Sequence, residues 1–199
     1  SKWETDASVP ELDKLVKLNI GFNAVTSLAP LNSCVRLTWL NADNNQITML
    51  EGVEKLVLLT DFSVNNNKLT DVSQLAGLTE LQNLGIASNT ISDITMLKNL
   101  TKLQSFDFSG NQVPELPDWP DGCALTTIDG SYNALTSIDS LKNMQNLTHV
   151  YMDYNLLTNI DALQDCYCLV QVNVFGNVIP DVSALRSRDI IVNYDPTAS

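Results

Sequence analysis

The stretch LTELQNLGIASNTISDITMLKN, residues 78–99, decides the fold because its pattern recurs along the whole chain. Its apolar residues stand at Leu78, Leu81, Leu84, Ile86, Ile91, Ile94 and Leu97. Its asparagine, Asn89, has counterparts at steps of 22 residues, namely Asn23, Asn45, Asn67, Asn111, Asn133, Asn155 and Asn177. A fixed period of this length indicates that each unit is one turn of a repeating architecture.

The spacing within the unit predicts what each turn looks like. Leu84 and Ile86 are two residues apart, so both face one side of a short strand, and copies of that strand stack in parallel. We expect Asn89 to turn inward and bond backbone groups that the turn leaves unpaired. About ten residues remain to close each turn, which favours 3₁₀ turns over long helices. The prediction is an α/β horseshoe: a right-handed leucine-rich repeat solenoid of about eight 22-residue repeats, with a parallel β-sheet on the concave face and short 3₁₀ turns on the convex face.

We expect residues 1–199 to form a single domain. Residues 1–11 are assigned to the N-terminal edge or cap, residues 12–185 to eight repeats, and residues 186–199 to a C-terminal cap strand and tail. The stretch IIVNY, residues 190–194, is interpreted as a final strand that covers the last open core. The proline-rich stretch VPELPDWPDGC, residues 113–123, is interpreted as an irregular convex loop that places Trp119 in a leucine column.

Composition excludes several classes of function. With 44% hydrophobic and 17% charged residues, the chain is expected to fold. A net charge of −12 with only 11 Lys and Arg residues argues against nucleic acid and anionic lipid as partners. No apolar run approaches the roughly 18 residues that membrane insertion requires. We find no nucleophile elbow, phosphate-binding loop or metal-ligand cluster, so we expect no enzyme activity and no cofactor.

The four cysteines are predicted to be mostly free. Cys34 and Cys166 fall in a leucine column, and six repeats separate them, roughly 29 Å at the usual strand spacing. Cys123 lies two repeats from Cys166, which is also too far for a disulfide. The pair Cys166 and Cys168 is too closely spaced for an ordinary structural zinc site.

The phrases LTDVSQLAGLTELQNL (residues 69–84) and ISDITMLKNLTKLQSF (residues 91–106) resemble the repeats of bacterial internalin-type proteins. Eukaryotic phosphatase-regulating repeat proteins share the period, but Asp-Val or Asp-Ile pairs at 71–72, 93–94 and 181–182 favour the bacterial type. The resemblance implies a cell-surface or secreted binding scaffold. Several repeats lack the aspartate of this pattern, and Ser27, Met49, Ser137 and Asn159 stand in its place.

Residues that the repeat does not require suggest a partner-binding patch on the concave face. In the C-terminal half these are Tyr132, His149, Tyr151, Asp153, Tyr154 and Phe175. Asp107 and Asp129 are expected to lie in register beside them, with no benefit to the sheet, and Trp39 is a separate candidate. Aromatic residues with carboxylates suit a protein partner that presents basic residues. Two alternatives stay open: an unspecialised solvated face with sheet-stabilising tyrosines, and Ca²⁺ held between Asp107 and Asp129.

The functional prediction is a non-enzymatic, monomeric protein-binding module of a bacterial surface or secreted protein. A structural spacer and an intracellular regulatory scaffold are the alternatives. Carbohydrate remains an open partner because Tyr and Trp stack on sugars, although nothing selects it. The sequons at Asn99 and Asn146 are attributed to the composition of the repeat rather than to glycosylation.

Overall fold

The computed structural model describes residues 12–195, in which nine three-residue strands form one parallel sheet in chain order. The strands are Lys17–Asn19 (β1), Trp39–Asn41 (β2), Asp61–Ser63 (β3), Asn83–Gly85 (β4), Ser105–Asp107 (β5), Thr127–Asp129 (β6), His149–Tyr151 (β7), Gln171–Asn173 (β8) and Ile191–Asn193 (β9). The sheet is open, so the predicted horseshoe is confirmed. Residues 1–11, predicted to form a cap, lie outside the described part, and the domain boundaries remain a prediction.

The register between strands follows the repeat. Lys17 stands opposite Trp39, a step of 22 residues, and this step holds through β8. The last step is shorter, because Gln171 stands opposite Ile191, 20 residues on. β9 is therefore the final strand predicted from IIVNY.

The convex side consists of short helical turns, as predicted. The 3₁₀ turns are Leu12–Lys14, Ala29–Ser33, Val53–Lys55, Ser73–Leu75, Thr95–Asn99, Asp139–Leu141 and Asp161–Asp165, and a short α-helix, α1, spans Ser183–Arg186. Between β5 and β6, where the prolines stand, the chain passes without a helical turn. Trp119 is buried there and packs edge-on against Phe106, with ring centroids 6.2 Å apart. Within residues 12–195, no helix has the length and apolar character needed to cross a membrane.

The inward asparagines hold successive turns together. The Asn89 amide nitrogen donates to the carbonyls of Ile86 and Ala87, both at 3.0 Å, and of Val64 in the preceding repeat at 3.2 Å. Its oxygen accepts the N–H of Leu69 at 2.9 Å. The same arrangement recurs at Asn45, Asn67, Asn111, Asn133, Asn155 and Asn177. Each amide nitrogen therefore links carbonyls of two neighbouring repeats, and each amide oxygen satisfies a backbone N–H that would otherwise be buried unpaired.

A second recurring side-chain acceptor lies at the start of the convex segment of several repeats. Asp93 accepts the N–H of Thr95 at 2.8 Å, and Asp71 and Asp181 do the same two residues before their turns. Three of the residues that replace this aspartate supply an equivalent acceptor, namely Ser27, Ser137 and Asn159. Met49 has no acceptor atom to offer, whereas these three departures from the internalin pattern keep its hydrogen bond.

The predicted state of the cysteines is confirmed for this part of the chain. All four are free: Cys34, Cys123 and Cys166 are buried, whereas Cys168 is exposed. Burial raises the pKa of each of the three buried thiols, so they remain protonated and serve as small apolar core residues.

One core position departs from the repeat. Gly130 occupies the column that Ile86, Phe108 and Met152 also hold. A Cβ on Gly130 would collide with the ring of Phe108 and would lie 2.9 Å from the sulfur of Met152. The large Phe108 side chain therefore fills the space that the glycine leaves.

An apolar side chain introduced at Gly130 should destabilise the folded protein. We expect Gly130→Val to lower the free energy of unfolding by about 1–3 kcal/mol because it overpacks the core. Adding Phe108→Val should recover most of the loss. Urea unfolding of both variants measures this, and a Gly130→Val single variant as stable as the parent would contradict the packing account.

Candidate functional site

Three of the predicted site residues form one row across the concave face. Asp107 on β5 stands opposite Asp129 on β6, which stands opposite Tyr151 on β7. The predicted register of the two aspartates is therefore confirmed. His149, two residues before Tyr151, stacks loosely on its ring at 6.2 Å and contacts the Thr148 hydroxyl through Nδ1 at 2.9 Å.

Three residues after each member of this row, the backbone adopts an unusual conformation. At the eight equivalent positions, called the turn column here, φ lies between 52° and 68°: Phe22, Asn44, Asn66, Ser88, Gly110, Tyr132, Tyr154 and Gly176. Glycine and asparagine tolerate this left-handed region, whereas a bulky residue there costs roughly 1 kcal/mol or more. Tyr132 and Tyr154 are therefore residues that the backbone itself does not favour.

These two tyrosines belong to a packed aromatic cluster, defined as Tyr132, Tyr154 and Phe175. The tyrosine rings stack with centroids 4.5 Å apart and planes 18° apart, and Phe175 meets Tyr154 edge-on at 5.7 Å. Gly176 makes room for this arrangement, because a Cβ there would lie 2.6 Å from the Tyr154 ring. Tyr132 is 59% exposed and Tyr154 45% exposed, so the packed rings still face solvent.

Carboxylates run beside the aromatic cluster as an acidic row. Its members are Asp107, Asp129, Asp153 and Asp195. Each accepts one backbone N–H at 2.7–3.0 Å, from Ser109, Ser131, Phe175 and Gly176 respectively. The expectation that Asp107 and Asp129 do nothing for the sheet is therefore wrong: both satisfy N–H groups at the ends of their strands. Asp195, which follows the last strand, was not among the predicted residues.

Burial and mutual repulsion shape the electrostatics of the acidic row. Burial raises the pKa of the Asp129 carboxyl, and the charges of Asp107 and Asp153 raise it further, while hydrogen bonds from Ser131 oppose the shift. Burial also raises the pKa of Asp153, and Asp195 adds to that effect. Within residues 12–195 no lysine or arginine pairs with any member of the row. The row is therefore uncompensated negative charge.

Trp39 does not join this assembly. It lies on β2 and borders a shallow, solvent-open depression of about 220 Å³, with Ser63, Gly85 and Ser105 along its floor and Asp107 at the far end. The calcium alternative gains no support, because the described residues contain no group of three or more side chains placed to hold a metal ion.

The raised pKa of Asp129 predicts how stability varies with pH. A carboxyl whose pKa is higher in the folded chain stabilises the fold below the unfolded value of about 3.9, and this contribution is lost as the pH rises through the folded value. Asp129→Asn should therefore melt at a higher temperature than the parent at neutral pH, with the difference closing in acid.

Asp93 supplies a control of opposite sign. Hydrogen bonds from Thr95 lower its pKa, so its contribution is present above the unfolded value and is lost as the pH falls through the folded one. Asp93→Asn should melt lower than the parent at neutral pH and converge on it in acid. An Asp129→Asn variant that melts lower than the parent at neutral pH would contradict the electrostatic account.

Comparison with known proteins places the fold. No protein-family model and no curated protein matches the chain. Internalin C2 of Listeria monocytogenes is similar over 93% of this chain and 83% of its own, with a TM-score of 0.88 and 28% identity. Internalin InlF of the same species matches 94% of this chain with a TM-score of 0.83 and 22% identity. The present chain spans only 63% of the InlF structure.

A plant protein shares the architecture. The leucine-rich repeat ectodomain of the receptor kinase GASSHO1/SCHENGEN3 from Arabidopsis thaliana, in complex with Casparian strip integrity factor 2, matches 91% of this chain and 24% of its own. Its TM-score is 0.75 and its identity 22%, a likeness of fold alone. The 22-residue period and the open parallel sheet identify the chain as a leucine-rich repeat protein, and the similarity to internalin C2 supports a repeat of the bacterial internalin type.

Proposed function

We propose that the chain is a non-enzymatic binding module that holds a protein partner against the aromatic cluster and the acidic row, at the carboxyl ends of β5–β9. One observation carries the proposal: Tyr132 and Tyr154 are exposed and occupy left-handed backbone positions that favour asparagine or glycine. Residues kept at a cost to the backbone are a recognised sign of a functional constraint. Exposed aromatic rings on a rigid sheet are also favoured contact residues.

The rival interpretation is that the tyrosines stabilise the sheet by stacking. The same column offers a cheaper solution in an earlier pair of repeats, where the Asn66 side-chain amide donates to the Asn44 oxygen at 2.5 Å. Asparagine there combines a tolerated backbone conformation with a cross-repeat bond. A need for stability alone therefore does not explain two tyrosines.

The acidic row sets the chemistry of the partner. Asp129 and Asp153 are partly buried, lack a cationic neighbour among the described residues and repel adjacent carboxylates. Lysine or arginine side chains from a partner would relieve that repulsion. Association should then be steered by charge and should weaken as salt increases. His149, Tyr151 and Phe175 border the row and complete the proposed contact surface.

The proposed setting is the surface of a bacterial cell or the medium around it, with the chain acting as a monomer. Its support is the likeness to internalin C2, together with the complex formed by the plant ectodomain. A spacer role would leave the concave face without a ligand, and an intracellular scaffold would act elsewhere. Carbohydrate stays a weaker candidate, because the acidic row has no role in stacking on a neutral sugar.

The double variant Tyr132→Asn/Tyr154→Asn separates contact from stability. It installs the residues that the fold itself uses at Asn44 and Asn66. We expect the melting temperature to stay the same or rise, while affinity for a partner selected from an array of host and bacterial surface proteins falls about thirtyfold, or ~2 kcal/mol.

Phe22→Asn is the matched control, since Phe22 holds the same backbone conformation far from the cluster and is 83% exposed. It should leave affinity unchanged. A double variant that unfolds at a clearly lower temperature and keeps its affinity would show that the tyrosines serve the sheet instead.

A further inference from the structure

Apolar exposure continues beyond the concave face onto the flank of the solenoid. Leu156 is 60% exposed and Val178 is 62% exposed, and both follow inward asparagines, Asn155 and Asn177. Because the Asn155 side chain points into the core, the residues on either side of it, Tyr154 and Leu156, stay at the surface. The aromatic cluster is thus flanked by aliphatic side chains at the turn.

Backbone hydrogen bonds keep this flank in register. The N–H of Leu156 donates to the carbonyl of Leu135 at 2.9 Å, and the N–H of Val178 donates to that of Leu157 at 3.0 Å. The ladder therefore runs on past the ends of the strands, and Leu156 and Val178 lie one repeat apart, about 4.8 Å. We call the surface formed by Tyr154, Leu156, Phe175 and Val178 the apolar rim.

The apolar rim is specific to this end of the solenoid. In the preceding repeats the column of Leu156 and Val178 holds Ala24, Gln46, Lys68, Thr90, Gln112 and Ala134. Polar residues at Gln46, Lys68, Thr90 and Gln112 show that the fold does not require an apolar side chain there. Contiguous apolar surface beside polar groups marks interaction sites.

Charge next to the apolar rim indicates what would cover it. Among residues 12–195, neither Asp153 nor Asp195 forms an ion pair. Asp153 accepts the backbone N–H of Phe175, and Asp195 accepts that of Gly176. The arginines of the C-terminal segment are engaged elsewhere, with Arg186 over the Tyr194 ring and Arg188 over the Tyr167 ring. Among the described residues, exposed apolar side chains therefore lie next to carboxylates that have no cationic partner.

We infer that the partner surface extends over the apolar rim and takes a protein segment in which an aliphatic or aromatic side chain stands beside lysine or arginine. The apolar side chain covers Leu156 and Val178, and the cation reaches Asp153 and Asp195. This inference rests on the proposed function, because it adds a rim contact to the concave one. It assigns binding to residues outside the concave sheet.

The test uses the full 199-residue chain, with a displayed library of random linear peptides as the probe. Enriched peptides are measured against the parent and against Leu156→Gln/Val178→Thr, which restores residue types that the same column carries in other repeats. The control is Val57→Thr/Leu58→Glu, a pair 52% and 49% exposed that lies away from the rim. Its replacements are the residues of the next repeat, Thr79 and Glu80.

We expect enrichment of peptides that pair an apolar residue with a neighbouring lysine or arginine. Their affinity should fall about tenfold or more for the rim variant and stay unchanged for the control. Peptides that bind the rim variant as well as the parent, acidic peptides, or no enriched peptide would each overturn the inference. Dependence on Tyr132 and Tyr154 without dependence on Leu156 and Val178 would leave the proposed function standing while the rim contact fails.

Discussion

The structure depends on one interaction, the hydrogen bonding of a buried asparagine amide to backbone groups of two adjacent repeats. The Asn89 amide nitrogen donates to carbonyls of its own repeat and of the preceding one, and its oxygen accepts the N–H of Leu69 in the preceding repeat. Burying an amide without these partners would cost several kcal/mol. Meeting this demand at every repeat keeps consecutive turns at the same step and orders the strands into one sheet.

The same constraint separates residues that build the fold from residues that are free to bind. For the asparagine to turn inward, the residue before it adopts the left-handed conformation, as the turn column shows from Phe22 to Gly176. That residue and the one after the asparagine are left at the surface. Around Asn155 these are Tyr154 and Leu156, so a contact surface can change there while the hydrogen-bond ladder remains intact. Glycine at Gly176 then lets the Tyr154 ring lie flat across the neighbouring turn.

The 22-residue period and the alternation of apolar residues predicted most of the fold, because both patterns follow directly from backbone geometry. They placed the core columns, the pairing of Asp107 with Asp129, the burial of Cys34 and the final strand near Val192. Properties that arise from side-chain fit were missed. The exchange of volume between Phe108 and Gly130 needs three-dimensional packing to be seen.

Other omissions had a readable signal. Asn44, Asn66, Gly110 and Gly176 in one column point to a left-handed backbone, which would have marked Tyr154 as unfavourable there. The acceptor role of the concave aspartates was hidden, because repeat geometry alone does not show which N–H groups remain unpaired. Asp195 follows the shortened last repeat, so the 22-residue period did not reach it. The apolar rim was not predicted, because the alternation of strand side chains says nothing about the residue after each asparagine.

The most direct test of this separation compares three consecutive residues by urea unfolding: Tyr154→Asn, Asn155→Ala and Leu156→Gln. Asn155→Ala leaves the N–H of Leu135 without its acceptor and removes one of the two amide donors to the carbonyl of Gly130, so the account predicts a loss of about 3 kcal/mol. The two outer variants should stay within about 0.5 kcal/mol of the parent or exceed it. A loss at Tyr154→Asn or Leu156→Gln as large as that at Asn155→Ala would contradict the claim that these surface residues are free of the fold.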